Sequence, residues 1–308
     1  MNLITRSDFD GLACAVLLEE IGIINSYTFV HPKDVQDGKI KVTDNDVLTN
    51  IPYVEGCGLW FDHHVSETER MKITTDFKFK GDSRFAPSCA RVIYDYYGGA
   101  EKFRKFDESG LMHAVDKSDS GDLTKEDIEN PIGWILLSFI MDARTGLGRY
   151  RDYRISNLQL MKDMINYCRT KSVEDILQVS DVQERIKRYR AQEEAYKEML
   201  RKCSHAEGNV IVLDLRNVDE ILSGNRFLEY ALYPEQNVSI RIIWGREKLN
   251  TVFTVGYSIL NRTCKINIGS LMLKYGGGGH HQVGTCQVPV QDADRIYEEI
   301  VGILKTSK

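Results

Sequence analysis

Short apolar runs that stop on clusters of carboxylate and imidazole side chains constrain this chain more than any other feature. Residues 2–5 form a brief apolar entry, Asp8-Phe9-Asp10-Gly11 follows, and Leu12 to Ile21 is apolar at helical spacing. Strand, polar turn and helix in that order open many α/β folds. Val47-Leu48 ends in Thr49-Asn50, and Leu59-Trp60-Phe61 ends in Asp62-His63-His64. Pro87 to Tyr97 reads as a helix, with Pro near its start and Gly98-Gly99 at its end. Leu111 to Val115 leads into an acidic stretch from Asp116 to Asp122, read here as a loop. Ligands of parallel α/β sheets gather beyond the carboxyl ends of the strands, so these clusters are expected to converge.

The second half has a different texture. From about residue 151 to 204 the chain is expected to be helical throughout. Val182, Ile186, Tyr189, Tyr196, Met199 and Cys203 form one stripe, with Glu, Lys and Arg opposite. After Gly208, three segments rich in Val, Ile and aromatics read as strands: Asn209 to Leu215, Val238 to Trp244 and Thr251 to Ile259. Asn267 to Tyr275 is a short helix closed by Gly276, and Asp292 to Leu304 is a terminal helix with acidic residues in its first turn. The expected fold is α/β with two domains. A parallel-sheet domain covers residues 1–190, a helical linker 191–204, and a smaller mixed α/β domain 205–308.

Composition narrows the class of function. The net charge of −5 gives no sign of a basic nucleic-acid binder, although a local cationic cleft can sit on an acidic protein. The seven cysteines are scattered singly without a C-x-x-C pair, which argues against a zinc ribbon, a redox motif or a disulfide framework. Reduced thiols and a cytoplasmic location are the simplest expectation. The first residues reach charge too soon for a signal peptide. No run approaches the roughly 18 apolar residues of a membrane span.

Four clusters carry chemistry. Two carboxylates at i and i+2, Asp8 and Asp10, can point toward one site and offer the hard oxygen ligands that magnesium or manganese prefers. The same residues would also serve as a solvated turn with a helix cap. Asp62-His63-His64 adds imidazole, a good transition-metal ligand, unless the pair is satisfied by local hydrogen bonds. The run containing Asp116 and Asp119 matters only if it meets the others. Gly276-Gly277-Gly278-Gly279-His280-His281 can bring backbone amides close to a phosphate. Arg144, Arg149, Arg151 and Arg154 read either as a polyanion track or as solvated charges before a helix.

Together these clusters resemble the DHH phosphoesterase family, which includes RecJ-like exonucleases, oligoribonucleases, exopolyphosphatases and family II inorganic pyrophosphatases. Asp8-Phe9-Asp10-Gly11 is similar to the first motif, Asp62-His63-His64 to the namesake, and Gly276 to His280 to the signature of the associated C-terminal domain. The resemblance implies a two-metal site, usually manganese with magnesium the alternative, that activates water for in-line attack on phosphorus. It assigns Asp8 to one metal, and Asp10, His63 and an aspartate of the fourth motif to the other. Asp119-Ser120-Gly121 matches that motif better than Asp116 does. Asp62 belongs with the catalytic set, His64 would contact the substrate phosphate, and Arg262 with Gly276 to His281 would grip substrate. Two positions depart from the pattern: Arg6 stands where a His ligand is usual, and Asn50 where a bridging Asp is usual. Both fall on the first metal site, so one ion or two is left open. The implied function is a metal-dependent phosphoesterase, related to exopolyphosphatases or acting on nucleotides or short oligonucleotides. The alternative is a catalytically impaired nucleotide- or phosphate-binding regulatory protein. A homodimer is compatible with either, and no membrane partner is expected.

Overall fold

The computed structural model describes residues 1–64 and 78–306. The chain divides into two compact units, Met1–Asp122 with Pro131–Arg190 and Leu123–Asn130 with Ala191–Lys308.

The first unit is built on five parallel strands, β1 (Asn2–Arg6), β2 (Ser26–Val30), β3 (Asp46–Thr49), β4 (Leu59–Asp62) and β5 (Gly81–Ser83). Their order in the sheet is β2-β1-β3-β4-β5. Alternation along the strands sends side chains to both faces. Leu3, Val47 and Phe61 enter a core with helix α1 (Phe9–Glu20), while Ile4, Leu48 and Trp60 pack with Val35 and Ile51 on the other side. Burial on both faces explains why β1, β3 and β4 read as continuous apolar runs. The chain leaves β1 for β2 on one side, and β3 returns to the other side of β1. The switch point of the sheet therefore lies between β1 and β3. There the buried hydroxyls of Thr5 and Thr49 satisfy each other at 2.8 Å, and Thr5 Oγ1 donates to Thr49 O.

Three more helices of this unit bear on the site: α2 (Cys89–Tyr96), α3 (Leu111–Asp119) and α4 (Gly133–Met141). Helix α3 corrects the expected loop, because Asp116 and Asp119 belong to its last turn. Leu111, Met112, Ala114 and Val115 bury one face, and that packing outweighs the turn-forming tendency of the Asp and Ser residues. The helix ends before Gly121, which takes the left-handed conformation at φ 68°. The stretch expected to be helical throughout is broken into Asn157–Thr170, Val173–Gln178 and Ser180–Cys203, the first two capped by Ser156 and Ser172. In the last of these Arg185 shares the buried face, only 1% exposed. No described helix is long and apolar enough to cross a membrane.

The second unit holds a mixed six-stranded sheet. Its strands are β6 (Ser204–Glu207), β7 (Val210–Asp214), β8 (Val238–Trp244), β9 (Asn250–Tyr257), β10 (Gly278–His280) and β11 (Val283–Pro289). The order is β10-β11-β9-β8-β7-β6, antiparallel except for the β7–β8 pair. In β9 and β11 every second residue is buried, against α5 (Ile268–Leu273) and α6 (Ala293–Leu304). Leu123–Asn130 joins this unit, where Asn225 donates its side-chain amide to Ile128 O at 3.1 Å.

Candidate metal centre

The turn from β1 into α1 is tight enough that a Cβ on Gly11 would lie 2.0 Å from Arg6 O, so only glycine fits. Asp8 caps the helix, taking the Gly11 N–H on Oδ1 at 2.9 Å. Asn50, past the end of β3 at φ 55°, donates its side-chain amide to the same oxygen at 3.2 Å. Arg6 Nε pairs with Oδ2 at 2.9 Å. Both carboxylate oxygens of Asp8 are thus engaged by protein donors. Burial raises its pKa, and the Arg6 charge opposes that shift.

Asp10 lies two residues further on, in the first turn of α1, and is only 2% exposed. Its Oδ2 accepts from Cys89 N at 3.0 Å and its Oδ1 from Ala90 N at 2.9 Å. These amides open α2, where the first N–H groups of a helix lack internal partners and the helix dipole favours an anion. Burial nevertheless drives the Asp10 pKa well up, and the charges of Asp119 and Asp8 add to the shift. Three neighbouring carboxylates, Asp8 and Asp10 buried and Asp119 at the exposed rim, create an electrostatic demand for a cation.

His63 supplies the third side. Its Nδ1 lies 3.2 Å from Ala86 O, a geometry that requires Nδ1 to carry the proton and donate. The Nε2 lone pair is then left for a ligand, the arrangement common to metal-binding histidines. Nε2 is buried, 3.2 Å from Asp119 Oδ2 and 3.8 Å from Asp10 Oδ2, and makes no hydrogen bond to the described residues. Ligand atoms of Asp10, His63 and Asp119 lie within 4.8 Å of one another. Two oxygens and one imidazole nitrogen with an unused lone pair fit a divalent ion such as manganese or magnesium.

Asp116, the alternative ligand by sequence, is drawn elsewhere. Ser88 Oγ donates to its Oδ1 at 2.7 Å, and Arg91 binds its Oδ2 through Nε at 2.9 Å and Nη2 at 2.6 Å. It fixes the start of α2 instead of joining the cluster. Asp62 is fully buried, with Oδ1 2.8 Å from His64 Nδ1. Burial disfavours charge on His64, but the Asp62 hydrogen bond and the nearby carboxylates outweigh it and lift the imidazole pKa to about 9.

The arginines read either as a polyanion track or as solvated charges are in part engaged locally. Arg154 Nε bonds Asp181 at 2.9 Å and Arg149 Nε bonds Gly146 O at 3.2 Å. Arg144 is different: its Nε is held by Asp142 at 2.8 Å, and its charge acts on Asp8 and Asp119. Sequence reasoning missed the Ala86 carbonyl and the Cys89 and Ala90 amides, because backbone groups carry no residue signature. Pro87-Ser88, announcing a helix start, was the available signal.

In the second unit the glycine run is part of an ordered sheet edge. A Cβ on Gly277 would meet Thr285 O at 2.1 Å, and one on Gly279, at φ 153°, would meet Val283 O at 2.2 Å. Close approach of β11 therefore requires these two glycines. Gly278 has open space in its Cβ direction. His280 and His281 are exposed, with His281 Nδ1 3.4 Å from Tyr257 Oη. Arg262 is exposed and its Nε donates to Ile259 O at 3.1 Å.

No family model and no curated protein matches the chain. Among solved structures it is similar to a pGpG-specific phosphodiesterase, PggH, from Vibrio cholerae, at 45% identity and a TM-score of 0.83, covering 100% of this chain and 99% of that one. It also resembles a DHH domain described as a member of the s1p family of ribosomal proteins, at 11% identity and a TM-score of 0.57, covering 100% and 87%. An exopolyphosphatase-related protein from Bacteroides fragilis aligns at 12% identity and a TM-score of 0.50, covering 99% and 92%.

Proposed function

The chain belongs to the DHH phosphoesterase family, and from that premise we propose that it is a divalent-metal-dependent phosphodiesterase of short oligonucleotides, with pGpG the first substrate to test. The observation that carries this reading is the Asp10, His63 and Asp119 cluster, with a buried imidazole nitrogen turned toward two carboxylates. The full-length likeness to a protein described as pGpG-specific supports the substrate.

A cation held by these three residues would polarise a phosphoryl oxygen and lower the pKa of water, the chemistry that makes hydroxide available near neutral pH. The chain's own groups prepare the seat. The Cys89 and Ala90 amides orient Asp10, and Ala86 O fixes the His63 tautomer. His64, backed by Asp62, offers an N–H to a non-bridging or leaving oxygen. In the overall reaction an O–P bond forms from water and the P–O ester bond breaks. A proton from water ends on the leaving oxygen. Arg262, the Gly276 to Gly279 backbone, His280 and His281 are proposed to bind substrate phosphate or base from the second unit.

The Arg6–Asp8 pair favours a second reading, a regulatory protein that binds nucleotide without turnover. Purified protein incubated with manganese and either pGpG, longer RNA, cyclic dinucleotide, polyphosphate or pyrophosphate separates the two. Manganese-dependent release of GMP from pGpG is expected. No turnover of any of these substrates would leave only the regulatory reading.

A further inference from the structure

The residues at the end of β1 do not fit a metal. Both oxygens of Asp8 are already engaged by the protein, Oδ1 by two donors and Oδ2 by the Arg6 cation that a metal would have to displace. A guanidinium stays protonated and cannot ligate a cation. Asn50 presents its amide N–H toward Asp8, a donor where a ligand would need a lone pair. The Arg6 side chain is 36% exposed, and its contact with Asp8 is made through Nε, not through a terminal nitrogen. Neither terminal nitrogen hydrogen-bonds to a described residue. Arg144 repeats the arrangement, with Nε on Asp142.

We propose that this centre holds one metal ion, and that the Arg6 guanidinium, pinned by Asp8, takes the place of a second by binding a non-bridging oxygen of the substrate phosphate. Asp8 is then an anchor for Arg6 and not a metal ligand. This rests on the phosphoesterase reading for its substrate but not for its metal count. Arginine suits the task because one edge can be fixed by a carboxylate while the other presents two parallel donors to a phosphate. Unlike a metal ion, it supplies charge and hydrogen bonds without acidifying water.

Metal content and phosphate binding test it without turnover. Protein dialysed against manganese should carry one ion per chain by elemental analysis, and so should Asp8→Asn and Arg6→Ala. GMP has the phosphate that the reaction would release and no diester to consume, so its affinity reads the seat directly. Arg6→Ala should weaken GMP binding in the presence of manganese about 10- to 100-fold. Arg6→Lys, which keeps the charge and guards against a folding defect, should recover little, because lysine lacks the fork. Arg6→His combined with Asn50→Asp should raise the content toward two ions. Two ions or none in the unmodified protein would overturn the proposal, as would GMP affinity that is absent or indifferent to Arg6. A protein with one ion and Arg6-dependent GMP binding that cannot cleave pGpG would sink the proposed function and leave this inference standing.

Discussion

Asp116 and Asp119 are one helical turn apart and both acidic, yet their surroundings assign them opposite roles. Asp119 lies 3.2 Å from His63 Nε2, whereas Asp116 is consumed by Ser88 and Arg91. Asp119→Ala is expected to lower manganese affinity at least 100-fold by calorimetry while leaving the fold intact. Asp116→Ala should keep the manganese stoichiometry and cost about 1–3 kcal/mol of stability in denaturant melts, since it strips a half-buried ion pair and loosens a helix cap. Equal metal affinity in the two variants would refute the assignment. Asp10, His63 and Asp119 were all readable as candidate ligands, because carboxylate and imidazole announce themselves by type. The motif match already leaned to Asp119 over Asp116, but what Asp116 does instead needed the helix, since only its phase shows which carboxylate meets Ser88. The commitment of Asp8 was visible in the sequence only as two odd neighbours, Arg6 and Asn50.

At the level of elements, short buried strands were legible from their apolar runs and abrupt polar ends, and the sheet positions of β1, β3 and β4 follow from that pattern. Strand β10 was not, because four glycines look like a loop until β11 is seen to press against them. This yields a contrast between neighbours. Gly279→Ala forces a side chain into a left-handed position and against Val283 O, so it should destabilise the second unit by about 1–3 kcal/mol. Gly278→Ala should melt like the unmodified protein, and any loss it shows should be in ligand affinity. Thermal melts and GMP titration of both variants decide the matter. Glu207 ties β6 to α6 through Tyr297 at 2.5 Å, and to Lys305, the residue that caps the end of that helix. The hydrogen bonds from Lys305 and Tyr297 depress its pKa to about 2, below the ordinary glutamate value near 4.5. A depressed carboxyl contributes stability that is complete above its unfolded pKa and fades as pH falls toward the folded one. Acid melts should therefore show a component lost between about pH 4.5 and 2 that Glu207→Gln removes. The pair is partly exposed, so its size should not exceed about 1 kcal/mol.

For the molecule as a whole, the change of texture after Gly208 indicated a second body, because hydrophobic period and β-propensity change together there. The membership of Leu123–Asn130 escaped notice, because it depends on long-range packing that no local pattern records. All the groups of the candidate metal seat belong to the first unit. Manganese should therefore slow hydrogen exchange at Asp10, Cys89, Ala90 and the end of α3, and leave β7 to β9 unchanged. At a hundredfold excess over the dissociation constant the gain in stability would be about 2.7 kcal/mol. Uniform protection of both units would contradict a seat confined to one.

The three residues of that seat come from the start of α1, the end of β4 and the end of α3, with two amides of α2 steadying one of them. No two of these segments adjoin in the chain, so no local fragment can form the seat before β1 and β4 have entered the same sheet. Cobalt substituted at this position would acquire its ligand-field colour only on completion of that assembly. The absorption band would then time the closing of the sheet during refolding, with no label added to the protein.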